Sequence, residues 1–193
     1  MTETTTTSTA TPTRRTSPWT VTSRTIVFGA IGAALYGVLG VFSFILPGTA
    51  NVAIRPALAL IPFVGARFGP IAGFFTGAVG NAIVDQIQGF GFLTYWNWSI
   101  ANGLVGLAAG LLANYLREPK RAGGQIVWIA GIAFAAVVIG QLFTITDIFL
   151  GNTIEYWFIA AYIPATITTG ITALIIVPIL DRVWKPLQNL AGR

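Results

Sequence analysis

The residues that could carry chemistry in this chain are polar and aromatic side chains placed between long apolar stretches. Asn81 and Asp85 are four residues apart, as are Trp98 and Asn102, so each pair lies on one face of a helix. Carboxylates, amides and indoles together are typical of a pocket for a flat, polar organic molecule. The candidate binding residues are Arg55, Asn81, Asp85, Trp96, Asn97, Trp98, Asn102, Gln141, Glu155 and Trp157.

Each of these residues also has a structural interpretation that stays open at this point. Trp96, Trp98 and Trp157 are typical of the aromatic belt at a membrane surface. Arg55 and Asp85 can form a structural ion pair, and the later acidic residues can be solvated loop charges. The binding interpretation is favoured because amides and indoles converge at one end of the predicted bundle, while the other end has far fewer of them.

The chain has no histidine and no cysteine, which excludes disulfides, thiolate nucleophiles and the usual zinc ligands. It also contains no G-x-x-x-x-G-K-[ST] phosphate loop, no G-x-S-x-G elbow and no H-E-x-x-H motif. We therefore expect no enzyme activity, no metal site and no cofactor. If the protein moves a ligand uphill, the energy comes from a partner or from an ion gradient.

The elements that must position these residues are helices in a membrane. Of 193 residues 54% are hydrophobic and 9% are charged, whereas soluble domains carry about a quarter charged residues. About twenty apolar residues make one membrane-spanning helix, so six spans with short loops nearly use up the chain. The predicted fold class is all-α, an integral bundle of six transmembrane helices in the plasma membrane. Its surface meets lipid, so the net charge of +5 is not taken to indicate nucleic acid.

The apolar runs predict the bounds of the six helices. They lie at about 25–46, 52–66, 68–84, 99–116, 125–146 and 157–180. The second is the shortest, because Arg55-Pro56 interrupts its start. The predicted division of the chain is a disordered Thr/Ser/Pro-rich tail at 1–20, a six-helix substrate-binding domain at 21–185 and a short cytoplasmic tail at 186–193.

The positions of the basic residues favour six spans over five. With both termini in the cytoplasm, every basic residue except Arg55 lies on the cytoplasmic side. If residues 52–84 crossed the membrane only once, the basic loop at 117–121 would lie opposite the N-terminal tail. The excess of positive charge inside would then be lost, so six crossings are predicted.

Two rows of small residues run along the first predicted helix. Gly29, Ala33 and Gly37 form one row, and Ala30 and Ala34 form the other. Small residues let helix backbones approach closely within a membrane. Either row can serve packing inside the bundle or docking to a partner membrane protein, and the spacing alone leaves both open.

Three strings carry a resemblance to a known family. They are Ile54-Arg55-Pro56-Ala57; Phe68-Gly69-Pro70 with Gly73-Phe74, Gly77, Gly80-Asn81 and Asp85; and Trp96-Asn97-Trp98-Ser99 with Asn102-Gly103 and Gly106. The chain resembles the substrate-specific (S) components of energy-coupling factor (ECF) vitamin transporters, and within these the riboflavin-type branch. The resemblance extends over about residues 25–185.

The resemblance implies a six-helix subunit, both termini cytoplasmic, that captures a vitamin from outside the cell. Family members work with a transmembrane coupling protein and two cytoplasmic ABC-type ATPases, and they are thought to topple in the membrane to release their cargo. The family's A-x-x-x-A docking surface matches Ala30 and Ala34, which favours docking over internal packing for that row. The implied substrate is riboflavin or a related flavin.

The chain differs from the riboflavin-type pattern near the implied pocket. It has Asn81 where several such members have His, and Tyr95-Trp96-Asn97-Trp98 where they have Trp-Trp-Ser-Trp. Another vitamin or precursor, of the thiamine or pyridoxine type, therefore stays open, since Asp85 and Glu155 would favour a cationic ring. Further alternatives are a stand-alone ion-coupled carrier, a membrane enzyme and a scaffold with no ligand.

Overall fold

The computed structural model describes residues 17–191, and within this range the chain is a bundle of helices. The helices are α1 (Ser23–Leu39), α2 (Leu60–Phe68), α3 (Pro70–Ile87), α4 (Trp96–Tyr115), α5 (Ala122–Gln141) and α6 (Ile163–Ala191). The predicted all-α class is confirmed. Most of the predicted tail at 1–20 lies outside the described residues.

Irregular backbone gathers at one end of the bundle. Strands β1 (Phe44–Ile45) and β2 (Ala53–Ile54) form a two-residue antiparallel ribbon, and a 3-10 turn at Pro56–Ala59 leads into α2. At the same end, α5 tightens into a 3-10 segment at Leu142–Leu150. One helical turn at Ile154–Tyr156 and a π-helical segment at Trp157–Tyr162 then lead into α6.

Several helix boundaries differ from the predicted ones. The second helix begins at Leu60, not at residue 52, because Ala53 and Ile54 pair with β1 and Pro56–Ala59 form a 3-10 turn. The last helix begins at Ile163, not at residue 157, because Trp157–Tyr162 are π-helical. The first helix ends at Leu39, not at residue 46, because Phe44 and Ile45 pair with β2, and an apolar run has the same hydropathy in a strand as in a helix. The fifth ends at Gln141, where the backbone tightens to 3-10 geometry. The last helix continues past residue 180, and past the predicted tail boundary at 186, to Ala191.

Within residues 17–191, two helical stretches are long and apolar enough to cross a membrane. They are Ala122–Leu150, with a mean hydropathy of 2.3, and Ile154–Gln188, with 2.0. In each, 39% of the apolar window is buried inside the bundle, so most of it faces outward. Helix α1 likewise exposes Ile26, Val27 and Ile31. Large apolar side chains facing outward are expected where the surrounding medium is lipid.

Helices α3 and α4 approach each other so closely that only glycine fits between them. A Cβ at Gly73 or Gly106 would clash with the backbone of the other residue, and one at Gly77 would clash with the backbone of Asn102. Such backbone-to-backbone packing is the usual role of small residues in membrane helices. It brings Asn81, one turn beyond Gly77, next to Asn102 on the facing helix.

A cluster of charged side chains ties together the end of the bundle opposite the irregular segments. The Arg67 guanidinium donates to both carboxylate oxygens of Glu118, at 3.0 and 3.1 Å, and also to Asp181. The Lys185 ammonium donates to Glu118 at 3.0 Å and to Gln125 Oε1 at 2.6 Å. The cluster therefore links α2, the loop before α5, α5 and α6.

Acid is expected to weaken this charged cluster. The hydrogen bonds from Arg67, with those from Lys185, lower the pKa of Glu118 from 4.5 to about 2. A depressed carboxyl pKa adds stability that is fully present above pH 4.5 and is lost as the pH falls toward 2. We expect the melting temperature of the purified protein to exceed that of Glu118→Gln at neutral pH. The difference should shrink in this acid range.

The matched control for this prediction is Glu155→Gln. Glu155 is exposed and forms no ion pair within residues 17–191. Its removal should leave the melting temperature unchanged at neutral pH. An equal loss of stability in both variants would contradict a specific role for the Glu118 cluster.

Candidate ligand-binding site

A cavity of about 80 Å³ opens at the end of the bundle where the irregular segments gather. Its wall is built from the 50–58 segment, the C-terminal ends of α3 and α5, the start of α4 with the loop before it, and the start of α6. The lining residues are Ala50, Asn51, Val52, Ala53, Arg55, Leu58, Asn81, Asp85, Phe90, Tyr95, Trp98, Asn102, Gln141, Ala165 and Thr169.

Asn81 is the centre of the polar side of this cavity. Its Oδ1 accepts hydrogen bonds from the Tyr36 hydroxyl at 3.1 Å, from Arg55 Nη1 at 3.1 Å and from Asn102 Nδ2 at 3.0 Å. Its Nδ2 donates to Asp85 Oδ2 at 2.9 Å and to Ser99 Oγ at 3.1 Å. One buried amide thus connects α1, the 50–58 segment, α3 and α4, so its loss would leave several buried groups unpaired.

Arg55 and Asp85 supply one positive and one negative charge to the same wall. Arg55 Nη2 lies 3.7 Å from Asp85 Oδ1, and the two side chains are only 12% and 6% exposed. Arg55 Nη2 also donates to Gln88 Oε1 at 3.0 Å. Because charges at this depth are costly unless paired, the pairing explains how both can be held there. The pair leaves the cavity with no net charge.

The polar wall continues from Asn102 to α5. Gln141 Nε2 donates to Asn102 Oδ1 at 2.9 Å, and Gln141 is 2% exposed. Gln141, Asn102 and Asn81 therefore form a chain of three amides that runs across α5, α4 and α3. We call these three residues the amide chain.

An aromatic wall lies beside the amide chain. Trp98, Tyr95 and Phe90 line the cavity, and the rings of Phe90 and Tyr95 meet edge to face with centroids 5.9 Å apart. The indole N–H of Trp98 donates to Asp147 Oδ2 at 3.2 Å, and this bond fixes the ring at the cavity wall. An aromatic wall beside amides can stack on a planar ring while its edge forms hydrogen bonds.

The loop that covers the cavity is held by the irregular start of the last helix. The Ala50 N–H donates to the Ala160 carbonyl at 2.9 Å. In a regular α-helix that carbonyl would accept from residue 164, but Pro164 has no N–H to donate. The proline therefore leaves an acceptor free for the loop.

The structure brings together six of the ten candidate binding residues at this cavity, namely Arg55, Asn81, Asp85, Trp98, Asn102 and Gln141. The other four lie elsewhere. Trp96 is 42% exposed and Glu155 is exposed outside the cavity. Asn97 is buried behind Trp98 and donates to Asp147, at 2.6 Å. Trp157 is buried, and its N–H donates to Thr144 Oγ1 at 3.0 Å.

Several lining residues were not among the candidates. Ala50, Val52, Ala53 and Ala165 are apolar and carry no sequence signal for a site, and Asn51 is a single amide in a loop, where such residues are common. Tyr95 and Phe90 lie in a loop, where aromatic residues are equally typical of a membrane surface. Asp147 lies behind the wall and orients Trp98, which only contacts between distant parts of the chain could show.

The two small-residue rows of α1 face different surroundings. Gly29 lies against Ala72 of α3, Gly37 lies against Ile83 of the same helix, and Ala33 is 2% exposed. Ala30 and Ala34 are exposed on the opposite face. The first row packs inside the bundle, and the predicted docking pair is free to meet a partner.

The site and the bundle can be compared with known proteins. Residues 20–185 match the family described as ECF-type riboflavin transporter, S component. The chain belongs to this family. It is also 34% identical over 180 residues to a UPF0397 protein of Streptococcus gordonii, an alignment that covers 90% of this chain and 94% of the relative. No solved structure gives a significant match.

Membership in the S component family has direct consequences for function. The chain is a subunit of a membrane vitamin transporter and not an enzyme. The S component family implies a small-molecule vitamin as substrate and the ECF module as partner. The name of the streptococcal relative specifies neither a substrate nor a partner.

Proposed function

We propose that this S component captures a vitamin from outside the cell in the amide-lined cavity and delivers it to an ATP-driven ECF module. The observation that carries the proposal is the cavity itself, where buried amides, a compensated ion pair and an aromatic wall meet at one end of the bundle. Such a mixture suits a planar heterocycle with polar edges. The module would consist of a transmembrane coupling protein and two ABC-type ATPases.

The arrangement of charges supports a six-span topology with both termini in the cytoplasm. Arg67 and Lys185 lie in the charged cluster at one end of the bundle, and Arg55 lies at the cavity end. An excess of basic residues marks the cytoplasmic side of membrane proteins. The cavity then opens to the outside of the plasma membrane, where a vitamin arrives. Arg14 and Arg15, which the prediction also places inside, lie outside the described residues.

The charge balance of the cavity favours an uncharged ligand, and a flavin is our first candidate. The sequence suggested that Asp85 and Glu155 could attract a cationic ring. In the structure Asp85 is paired with Arg55, and Glu155 is not part of the cavity wall. Among the described residues that line the cavity, Asp85 is the only carboxylate, and it is paired, which makes a thiamine-type ligand the weaker candidate. A neutral ring of the pyridoxine type is the second.

The proposal is tested by titrating the purified protein with riboflavin, thiamine and pyridoxine while tryptophan fluorescence and the visible spectrum are recorded. A yellow preparation, or strong quenching by riboflavin alone, would support flavin capture. Quenching by pyridoxine or thiamine alone would keep vitamin capture and replace the substrate. No response to any of the three would contradict the proposed function.

Coupling to a partner module predicts a separation of binding from uptake. Replacing Ala30 and Ala34 together by leucine fills the exposed face of α1 without touching the cavity. We expect vitamin binding to be unchanged and uptake into cells to fall about tenfold or more, because a misfitted helix interface costs ~1–3 kcal/mol.

A control for this experiment is available on α5. Gly131 is exposed and has open space around it, so Gly131→Leu adds the same kind of bulk at another outward position. Uptake should be normal in this control. Normal uptake in the Ala30/Ala34 double variant would favour a stand-alone ion-coupled carrier instead.

A further inference from the structure

We infer that Gln141 recognises the ligand through an N–H group. The ligand inserts one uncharged ring into the cavity, and an N–H of this ring donates a hydrogen bond to Gln141 Oε1. This inference rests on the proposed function, since it concerns the same cavity. It names Gln141 as a specificity-determining residue and a neutral ring N–H as the chemistry recognised.

The orientation of each amide follows from Arg55. A guanidinium group can only donate hydrogen bonds, so the Asn81 atom that Arg55 Nη1 contacts at 3.1 Å must be the amide oxygen. The Asn81 nitrogen then faces the Asp85 carboxylate, which can accept from it, at 2.9 Å. Oxygen and nitrogen of an amide are otherwise assigned only from such networks.

Donor–acceptor pairing then fixes the orientation of Asn102 and, through it, that of Gln141. The Asn102 atom 3.0 Å from the Asn81 oxygen must be a nitrogen, so the remaining Asn102 atom is an oxygen. That oxygen lies 2.9 Å from Gln141, whose contacting atom must therefore be the nitrogen. The Arg55–Asp85 pair thus fixes Gln141 Oε1 as an acceptor, although the pair itself lies on other elements of the fold.

Gln141 Oε1 is left without a partner. The residue is 2% exposed and lines the cavity, yet its oxygen accepts no hydrogen bond within the described part of the chain. Buried acceptors are rarely left unsatisfied, and an exception in a binding cavity indicates a group that the ligand satisfies. Only a donor can do this.

A second unpaired atom of the same wall has the opposite character. Arg55 Nε is buried and has no acceptor among the described residues. The wall therefore lacks one donor, which Gln141 needs, and one acceptor, which Arg55 needs. These two atoms lie at opposite ends of the amide chain, so a ring N–H serves Gln141 Oε1, and a separate acceptor of the ligand serves Arg55 Nε. The cavity has a volume of about 80 Å³, which is room for about six water-sized groups, or one ring. Any larger part of the ligand therefore lies toward the mouth of the cavity.

The test compares riboflavin with 3-methylriboflavin, in which a methyl group replaces the imide N–H. Dissociation constants for both probes are measured on the full-length wild type and on Gln141→Leu. We expect the wild type to prefer riboflavin by about tenfold, the usual worth of a buried hydrogen bond. In Gln141→Leu this preference should fall to about twofold or less, because the acceptor that distinguishes the probes is gone.

The outcomes separate this inference from the proposed function. An unchanged preference in Gln141→Leu, or equal binding of both probes by the wild type, overturns the role of Gln141 while vitamin capture stands. If the variant does not fold, equal binding of both probes by the wild type still overturns the role of Gln141. Binding of thiamine or pyridoxine but of neither flavin overturns the recognition of a ring N–H only, and binding of no vitamin overturns the proposed function as well. Gln125→Leu, which removes a glutamine at the opposite end, should keep the wild-type preference.

Discussion

Replacing Asn81 by leucine is expected to weaken vitamin binding by about 100-fold or more. The change removes the acceptor shared by Tyr36, Arg55 and Asn102, and it removes the donor to Asp85. We expect Arg55, Asn102 and Asp85 to leave the positions from which they contact the vitamin, so that two or three hydrogen bonds of ~1 kcal/mol each are lost from the complex. A loss of ~3 kcal/mol corresponds to about 150-fold in affinity. The measurement is a fluorescence titration of the purified variant with the vitamin that the wild type binds.

Ser99→Ala is the matched control for the Asn81 experiment. It removes one of the two acceptors of Asn81 Nδ2 and leaves the bond to Asp85 in place. Its affinity should stay within about fivefold of the wild type, as expected for a single neutral hydrogen bond. A well-folded Asn81→Leu protein with wild-type affinity would show that the amide chain serves packing and not binding.

The second large effect is expected at Gly106, where valine should prevent stable folding. Any side chain there would clash with the backbone of Gly73 on α3, and a backbone cannot move aside as a side chain can. Overpacking usually costs ~1–3 kcal/mol, and we expect at least the upper end of this range here. The measurement is the yield of monodisperse protein in size-exclusion chromatography, together with its melting temperature.

Gly131→Val is the control for the Gly106 substitution. Both changes insert valine for glycine in a helix, but the space around Gly131 is open. The control should fold with a normal yield and a small change in melting temperature. Equal behaviour of the two variants would contradict the close approach of α3 and α4, on which the position of Asn102 beside Asn81 depends.

The sequence was sufficient to predict the helical class and the polar end of the bundle. Long apolar stretches interrupted by Gly, Pro and charged residues indicated the helices, and the amides Asn81 and Asn102 followed from their helical spacing. The end of the first helix was predicted wrongly, because residues 41–46 are as apolar in the ribbon as they would be in a helix. Hydropathy measures burial in an apolar medium and not backbone geometry.

The finer arrangement of the site required three-dimensional contacts. Asn97 and Trp98 are neighbours in the chain, yet one is buried behind the wall and the other lines the cavity, since successive residues of a helix point about 100° apart. The pairing of Arg55 with Asp85 neutralises a charge that the sequence left free to attract a cation. The unpaired oxygen of Gln141 depends on contacts among three helices.

The most direct measurement of the central claim is a vitamin titration that compares Trp98→Phe with Trp96→Phe. Trp98 lines the cavity, whereas Trp96, two residues earlier at the same end of α4, is 42% exposed. If the vitamin binds in the amide-lined cavity, the quenching amplitude should fall sharply in Trp98→Phe and stay close to the wild-type value in Trp96→Phe. A vitamin that quenches Trp96 instead of Trp98 would place the ligand outside the cavity and contradict this account of the site.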